Sequence, residues 1–156
     1  MIREKIIRTL NEATPGGLEL LEDDFFVIGA SAIILSGIEI GNTNDIDILT
    51  STRDSAKLKK IWNDKIENNP LMKESELFKS DFSRYSFSEM DIEIEGDLLV
   101  YKENHWLEVN VHKYVSIEIN NLFIKIPTIE EQMRILRLFG REKDMKRLKL
   151  MQNTMY

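Results

Sequence analysis

Two aspartates stand at alternate positions in Asn44-Asp45-Ile46-Asp47-Ile48-Leu49, with isoleucines beside them. Side chains of a β-strand alternate between faces, so this spacing points Asp45 and Asp47 one way and Ile46 and Ile48 into a core. Like charges held that close repel unless a cation or a donor lies between them. The pair suits a divalent metal, and Mg²⁺ takes one or two carboxylates plus substrate phosphates. Alone, Asp-x-Asp would also fit a solvent-facing strand. Just upstream, the apolar run Phe25-Phe26-Val27-Ile28 ends abruptly in Gly29-Ala30-Ser31-Ala32. Glycine lets a backbone approach a phosphate, Ser31 adds a hydroxyl, and a following helix start supplies amides. A strand-to-helix turn that needs only small residues for packing would look the same.

A third acidic set lies in the strictly alternating stretch Met90 to Glu95, where Asp91, Glu93 and Glu95 share one face. A carboxylate from such a strand would complete a site for two cations, clamping the attacking and leaving oxygens of an in-line displacement. Glu93, central in its strand, is preferred to Asp91, and Glu95 beside Gly96 reads as exposed sheet surface. His105 and His112 show no ligand spacing and read as structural. No Gly-x-Ser-x-Gly elbow or Walker-type loop is present.

These groups need elements to hold them. Ile2, Ile6, Ile7 and Leu10 predict an N-terminal helix stopped by Thr14-Pro15-Gly16-Gly17, then an acidic connector over 18–24 with one further helical turn. Phe25 to Ile28 reads as a buried strand, Ala30 to Ser36 as a helix ended by Gly37, and Asp45 to Leu49 as a strand. The next helix, capped within 50–54 and carrying Leu58, Ile61, Trp62 and Ile66, runs to the Asn68-Asn69-Pro70 break. Residues 71–81 carry no assignable pattern. Strands follow over 82–87, 90–95, 98–101, 106–111 and 115–119, with Asn120-Asn121 a two-residue turn into Leu122 to Ile126. Thr128 and Glu131 match a capping box ahead of a helix to Phe139 or Gly140, and residues 141–151 form a last helix. The expectation is an α+β fold, a mixed β-sheet with helices packed on it and a C-terminal helix pair over 128–153, in one domain spanning 1–156 with its core motifs in 25–95.

Composition narrows the classes. The 156 residues include no cysteine, which excludes disulfides, zinc thiolates and a thiol nucleophile. There is neither a secretory signal nor an 18-residue apolar run, so a cytoplasmic protein without membrane attachment is expected. Net charge is −6, yet residues 134–149 carry seven basic side chains against two acidic ones. That segment reads either as a solvated helix face or as a local site for a polyanion.

On these residues the chain resembles the nucleotidyltransferase superfamily with the DNA-polymerase-β-like core. Its signature is an apolar residue, Gly, then Gly or Ser, followed by Asp-h-Asp/Glu-h and a third carboxylate on a later strand. Ile28-Gly29-Ala30-Ser31 and Asp45-Ile46-Asp47-Ile48 match, with Glu93 or Asp91 in the third place. Ala30 at the second small position and a slightly long spacing to Asp45 depart from the pattern. Arg141-Glu142-Lys143-Asp144 is similar to the Arg-x-Lys-Asp helix of small bacterial nucleotidyltransferases related to abortive-infection toxins. It also reads as helix-surface charge, with Glu142–Lys146 an i,i+4 pair.

The resemblance covers roughly residues 25–149 and implies Mg²⁺- or Mn²⁺-dependent transfer of an NMP from an NTP to a hydroxyl. Asp45, Asp47 and Glu93 would hold metal. Gly29, Ala30, Ser31, Thr43, Asn44, Lys143 and Asp144 would meet the nucleotide. The acceptor could be RNA, a protein or a small molecule, and the small size leaves room for a protein partner or a second copy. The rival is a catalytically inactive protein of the same fold, serving as a toxin–antitoxin component or a partner-binding module.

Overall fold

The structure, a computed structural model, describes residues 1–68, 70 and 74–154. Helix α1 (Ile2–Ala13) buries Ile6, Leu10 and Ala13, and a single 3₁₀ turn follows at Leu18–Leu20. Then come β1 (Phe26–Ile28), α2 (Gly29–Leu35), β2 (Asp45–Thr50) and α3 (Thr52–Ile61). Five strands follow: β3 (Phe78–Ser86), β4 (Asp91–Lys102), β5 (His105–Glu108), β6 (Tyr114–Ile119) and β7 (Leu122–Pro127). Helices α4 (Ile129–Phe139) and α5 (Glu142–Thr154) close the chain. The fold is α+β, as the sequence led us to expect.

The sheet runs β3-β4-β2-β1-β7-β6, with β5 on β4. β2 pairs parallel with β4 and β1 parallel with β7, while β1–β2, β3–β4, β4–β5 and β6–β7 are antiparallel. Ile46, Ile48, Ile92 and Ile94 turn to one face and pack with Ile6 and Leu10 of α1 and Leu58 of α3. On the other face, Ile28, Leu49, Leu98 and Val100 meet Leu138 and Phe139 of α4. The acidic residues belong to this second face.

Four expectations need correction. The segments 90–95 and 98–101 are one strand, because Gly96 and Asp97 form a bulge rather than a break. Lys79 faces Leu99 and Asp81 faces Gly96, so β4 spends one residue more than β3 across this step. The extra residue is Asp97, left-handed at φ 51°. A bulge reverses the phase of the strand beyond it. Leu98 and Val100 therefore continue the face that Glu93 and Glu95 occupy upstream. The α3 helix stops at Ile61, with Trp62 as its C-cap, and Ile66 instead bridges to Tyr85 of β3. Asn69 of the expected break lies outside the described residues. β3 begins at Phe78, inside the stretch left unassigned, of which residues 71–73 are likewise outside the described set. β5 ends at Glu108 because β2 already occupies that edge of β4 as far as Gly96.

The capping box is half formed. Thr128 Oγ accepts from Glu131 N at 3.2 Å, but the Glu131 carboxylate does not return to the cap. It accepts instead from the backbone N–H groups of His112 and Lys113 and from Arg134. The Arg134 hydrogen bond and those amides outweigh burial and hold its pKa at about 2. Asn120 and Asn121, both with positive φ, make the tight β6–β7 turn.

Gly96 carries a packing constraint besides its bulge. A Cβ there would lie 3.0 Å from Ser55 Cβ and 3.2 Å from Asp81 Cβ, so α3 seats directly on the strand. Gly96→Ala is expected to cost about 1–3 kcal/mol by overpacking. A chemical-denaturation midpoint equal to wild type would contradict this seating.

Candidate functional site

Strand pairing assembles the acidic groups. The parallel register sets Asp45 beside Asp91, Asp47 beside Glu93 and Leu49 beside Glu95. Because β-strands alternate with period two, an in-register pair aligns both acidic sets on one face. Ligand oxygens of Asp45, Asp47 and Glu93 lie within 4.8 Å of one another. Asp91, outside this set of three, accepts from Arg84 Nη2 at 2.9 Å.

The glycine corner meets this cluster from β1, whose antiparallel register puts Ile28 opposite Asp47. Gly29 has φ 69°, and a Cβ on it would sit 3.0 Å from Asp47 Oδ2. Both the left-handed backbone and the close approach therefore require glycine. Ser31 is buried, and its hydroxyl donates to the Asp45 carbonyl at 3.3 Å. Thr43 Oγ donates to the same carbonyl at 3.2 Å. Two hydroxyls thus fix the start of β2, where the acidic pair begins.

A cavity of about 210 Å³ opens on the cluster. Its charged end carries Asp45, Asp47, Glu93, Glu95 and Arg84, with Lys143 and Arg147 reaching it from one face of α5. Phe78, Phe82, Leu136 and Phe139 supply an apolar wall. Of the residues singled out in the sequence, Gly29, Ala30, Thr43, Asp45, Asp47, Glu93, Lys143 and Asp144 line this cavity. Ser31 and Asn44 do not, and Asn44 is exposed.

The spacing of Arg141, Lys143 and Asp144 has a structural reason. Buried Asp144 accepts from Arg141 N at 3.1 Å, from Nε at 2.6 Å and from Nη2 at 3.0 Å. Arg141 also reaches Glu74 at 2.8 Å and lies over the rings of Phe78 and Phe139. Arg141 and Asp144 thereby anchor the start of α5 against the apolar wall, while Lys143 and Arg147 face the acids. The expected Glu142–Lys146 pair forms at 3.4 Å on the exposed side.

Three cavity residues were misjudged or passed over in the sequence reading. Glu95 is no exposed surface group: it lines the cavity, and burial, then the charges of Asp47 and Glu93, push its pKa well up. Arg141 was read as part of a helix motif without a partner. Arg84 sits among the acids, on β3 directly opposite Glu93, which it contacts through Nη1. The cross-strand pairing of opposite charges was the available signal for Arg84.

Burial first, and then the charge of Asp45, raise Asp47 to about 6. Burial first, and then the charges of Asp47 and Asp45, raise Glu93 to about 8. Metal ligation needs both carboxylates ionised, so a bound ion must displace protons that linger in this range. Mn²⁺ affinity, followed by titration, should rise as pH increases from about 6 to about 8. A flat profile over that window would contradict the crowding of these groups.

No protein-family model matches the sequence, and no curated protein matches it. Solved structures do. A candidate nucleotidyltransferase of Thermotoga maritima aligns with 99% of this chain and 96% of its own, at 21% identity and a TM-score of 0.75. The lincosamide antibiotic adenylyltransferase LnuA, in its lincomycin-bound form, covers 96% of this chain and 95% of its own at 14% identity and a TM-score of 0.58. The antibiotic-resistance factor ANT(2'')-Ia covers 99% and 83% at 10% identity and a TM-score of 0.51. At such identities the likeness is one of fold, and among the described residues no helix is long and apolar enough to cross a membrane.

Proposed function

From the nucleotidyltransferase fold as its premise, we propose that this chain moves an NMP from an NTP to a hydroxyl acceptor with the help of Mg²⁺ or Mn²⁺. The observation that carries the reading is the in-register alignment of Asp45 and Asp47 with Glu93 at the Gly29 corner. The donor set is all oxygen and free of histidine and cysteine, which fits a hard divalent ion.

Asp45, Asp47 and Glu93 would hold the ion, which when bound supplies positive charge to the triphosphate and the leaving pyrophosphate. Gly29 and Ala30, at the corner beside Asp47, would offer backbone N–H groups to phosphate oxygens. Lys143 and Arg147 stand where they would neutralise the phosphate tail. Phe82, half-buried on the apolar wall, would offer a ring face for the base. Glu93, as a ligand of that ion, would help it lower the pKa of the attacking hydroxyl, whose proton passes to solvent. Attack at the α-phosphorus forms the new ester bond and breaks the bond to pyrophosphate.

The likeness to an enzyme crystallised with lincomycin supports a small-molecule acceptor. Among the basic side chains of 134–149, Arg134, Arg141 and Lys146 already pair with neighbouring acids, so a continuous stripe for a polyanion is missing among the described residues. The partner-binding alternative predicts no metal-dependent nucleotide binding.

Calorimetric titration of each NTP with and without Mg²⁺ tests the reading. Metal-dependent binding is expected for the wild type and should be absent in the Asp45→Ala/Asp47→Ala variant. Failure of every NTP to bind would sink the enzymatic reading. Lys143→Ala should weaken NTP binding about tenfold, the size of one charge-assisted hydrogen bond at roughly 1.5 kcal/mol. An unchanged affinity would remove Lys143 from the phosphate site.

A further inference from the structure

Arg84 has a position that the proposed reaction does not use. It stands on β3 between Ser83 and Tyr85, both buried, and its backbone pairs with Glu93 in the antiparallel β3–β4 ladder. Its guanidinium fans across the acids. Nη1 touches Glu93 Oε1 and lies 3.3 Å from Asp45 Oδ2, Nη2 lies 2.9 Å from Asp91 Oδ2, and Nε lies 3.1 Å from the same oxygen. Glu67 closes the outer side at 3.6 Å. The cation is therefore held by strand register, with acid partners on most of its donors.

We propose that this site takes a single divalent cation, and that Arg84 stands in the place a second one would take, as a fixed positive charge at Glu93. The inference rests on the nucleotidyltransferase reading and specifies how its charge is supplied. A guanidinium stays protonated at every working pH and matches carboxylates in its planar fork. Nη1 already engages one oxygen of Asp45 and one of Glu93, two of the three carboxylates whose ligand oxygens lie within 4.8 Å of one another. A second dication at Glu93 would sit against the guanidinium, a like-charge contact that the partly buried setting screens little. Displacing Arg84 would in turn strip Asp91 of its partner.

The test counts metal rather than turnover. Native mass spectrometry of the chain with Mn²⁺ and a non-hydrolysable ATP analogue reads the number of Mn²⁺ per 1:1 complex. One is expected in the wild type and two in Arg84→Met. Arg84→Lys, which restores a cation, should return the count to one. Two Mn²⁺ in the wild type would overturn the proposal, as would one in Arg84→Met with circular dichroism showing an intact fold. If Arg84→Met fails to fold, the wild-type count still decides. Absence of Mn²⁺ and nucleotide from every variant would instead remove the nucleotidyltransferase reading itself, a different outcome from two ions in the wild type.

Discussion

The dominant constraint in this protein is the repulsion among carboxylates that strand pairing forces together. Asp45 and Asp47 on β2 and Asp91, Glu93 and Glu95 on β4 share one face because the two strands are parallel and in register. Such crowding disfavours the fully ionised cluster, which is why burial and mutual charge raise Asp47, Glu93 and Glu95 together. The sheet tolerates it because its opposite face is apolar: Ile46, Ile48, Ile92 and Ile94 are all fully buried. The same period-two alternation that builds the core therefore builds the acidic site. Positive charge comes from two directions, with Arg84 on the neighbouring strand and Lys143 and Arg147 on α5.

Two backbone features let charged and apolar chemistry share that face. Gly29 brings the end of β1 against Asp47, where a Cβ would come to 3.0 Å from the carboxylate and the left-handed φ also favours glycine. The bulge at Gly96 and Asp97 reverses the phase of β4, so that Leu98 and Val100 follow Glu93 and Glu95 on the same side. Without that shift the apolar wall of the cavity would lose Leu98, and the second core cluster would lose its middle.

Much of this was legible in the sequence, because alternation and glycine punctuation are local signals. The pair Asp45/Asp47, the Gly29 corner and the choice of a mixed sheet with a C-terminal helix pair all follow from spacing within a few residues. Long-range pairing is what hid the rest. Glu95 looked exposed because its surroundings come from α5 and the cavity wall. Arg84 looked like an ordinary strand residue because its partners are defined by the β3–β4 and β2–β4 registers. Ile66 has the spacing of a helix face, yet its backbone bridges to Tyr85, and Trp62 packs edge-on against the rings of Tyr85 and Phe87. The pattern Arg141-x-Lys143-Asp144 was visible, but its division into an anchoring pair and a cavity-facing lysine needed the fold.

The central claim is that one face of β2 and β4 forms a divalent-metal site at the Gly29 corner. At 18.3 kDa the chain suits amide NMR, in which traces of paramagnetic Mn²⁺ erase signals near the bound ion. The account predicts that the amides of Gly29, Ala30, residues 45–48 and residues 91–94 disappear first, at substoichiometric metal. Loss centred instead on another acidic segment, such as Glu22 to Asp24, with these amides spared, would contradict it.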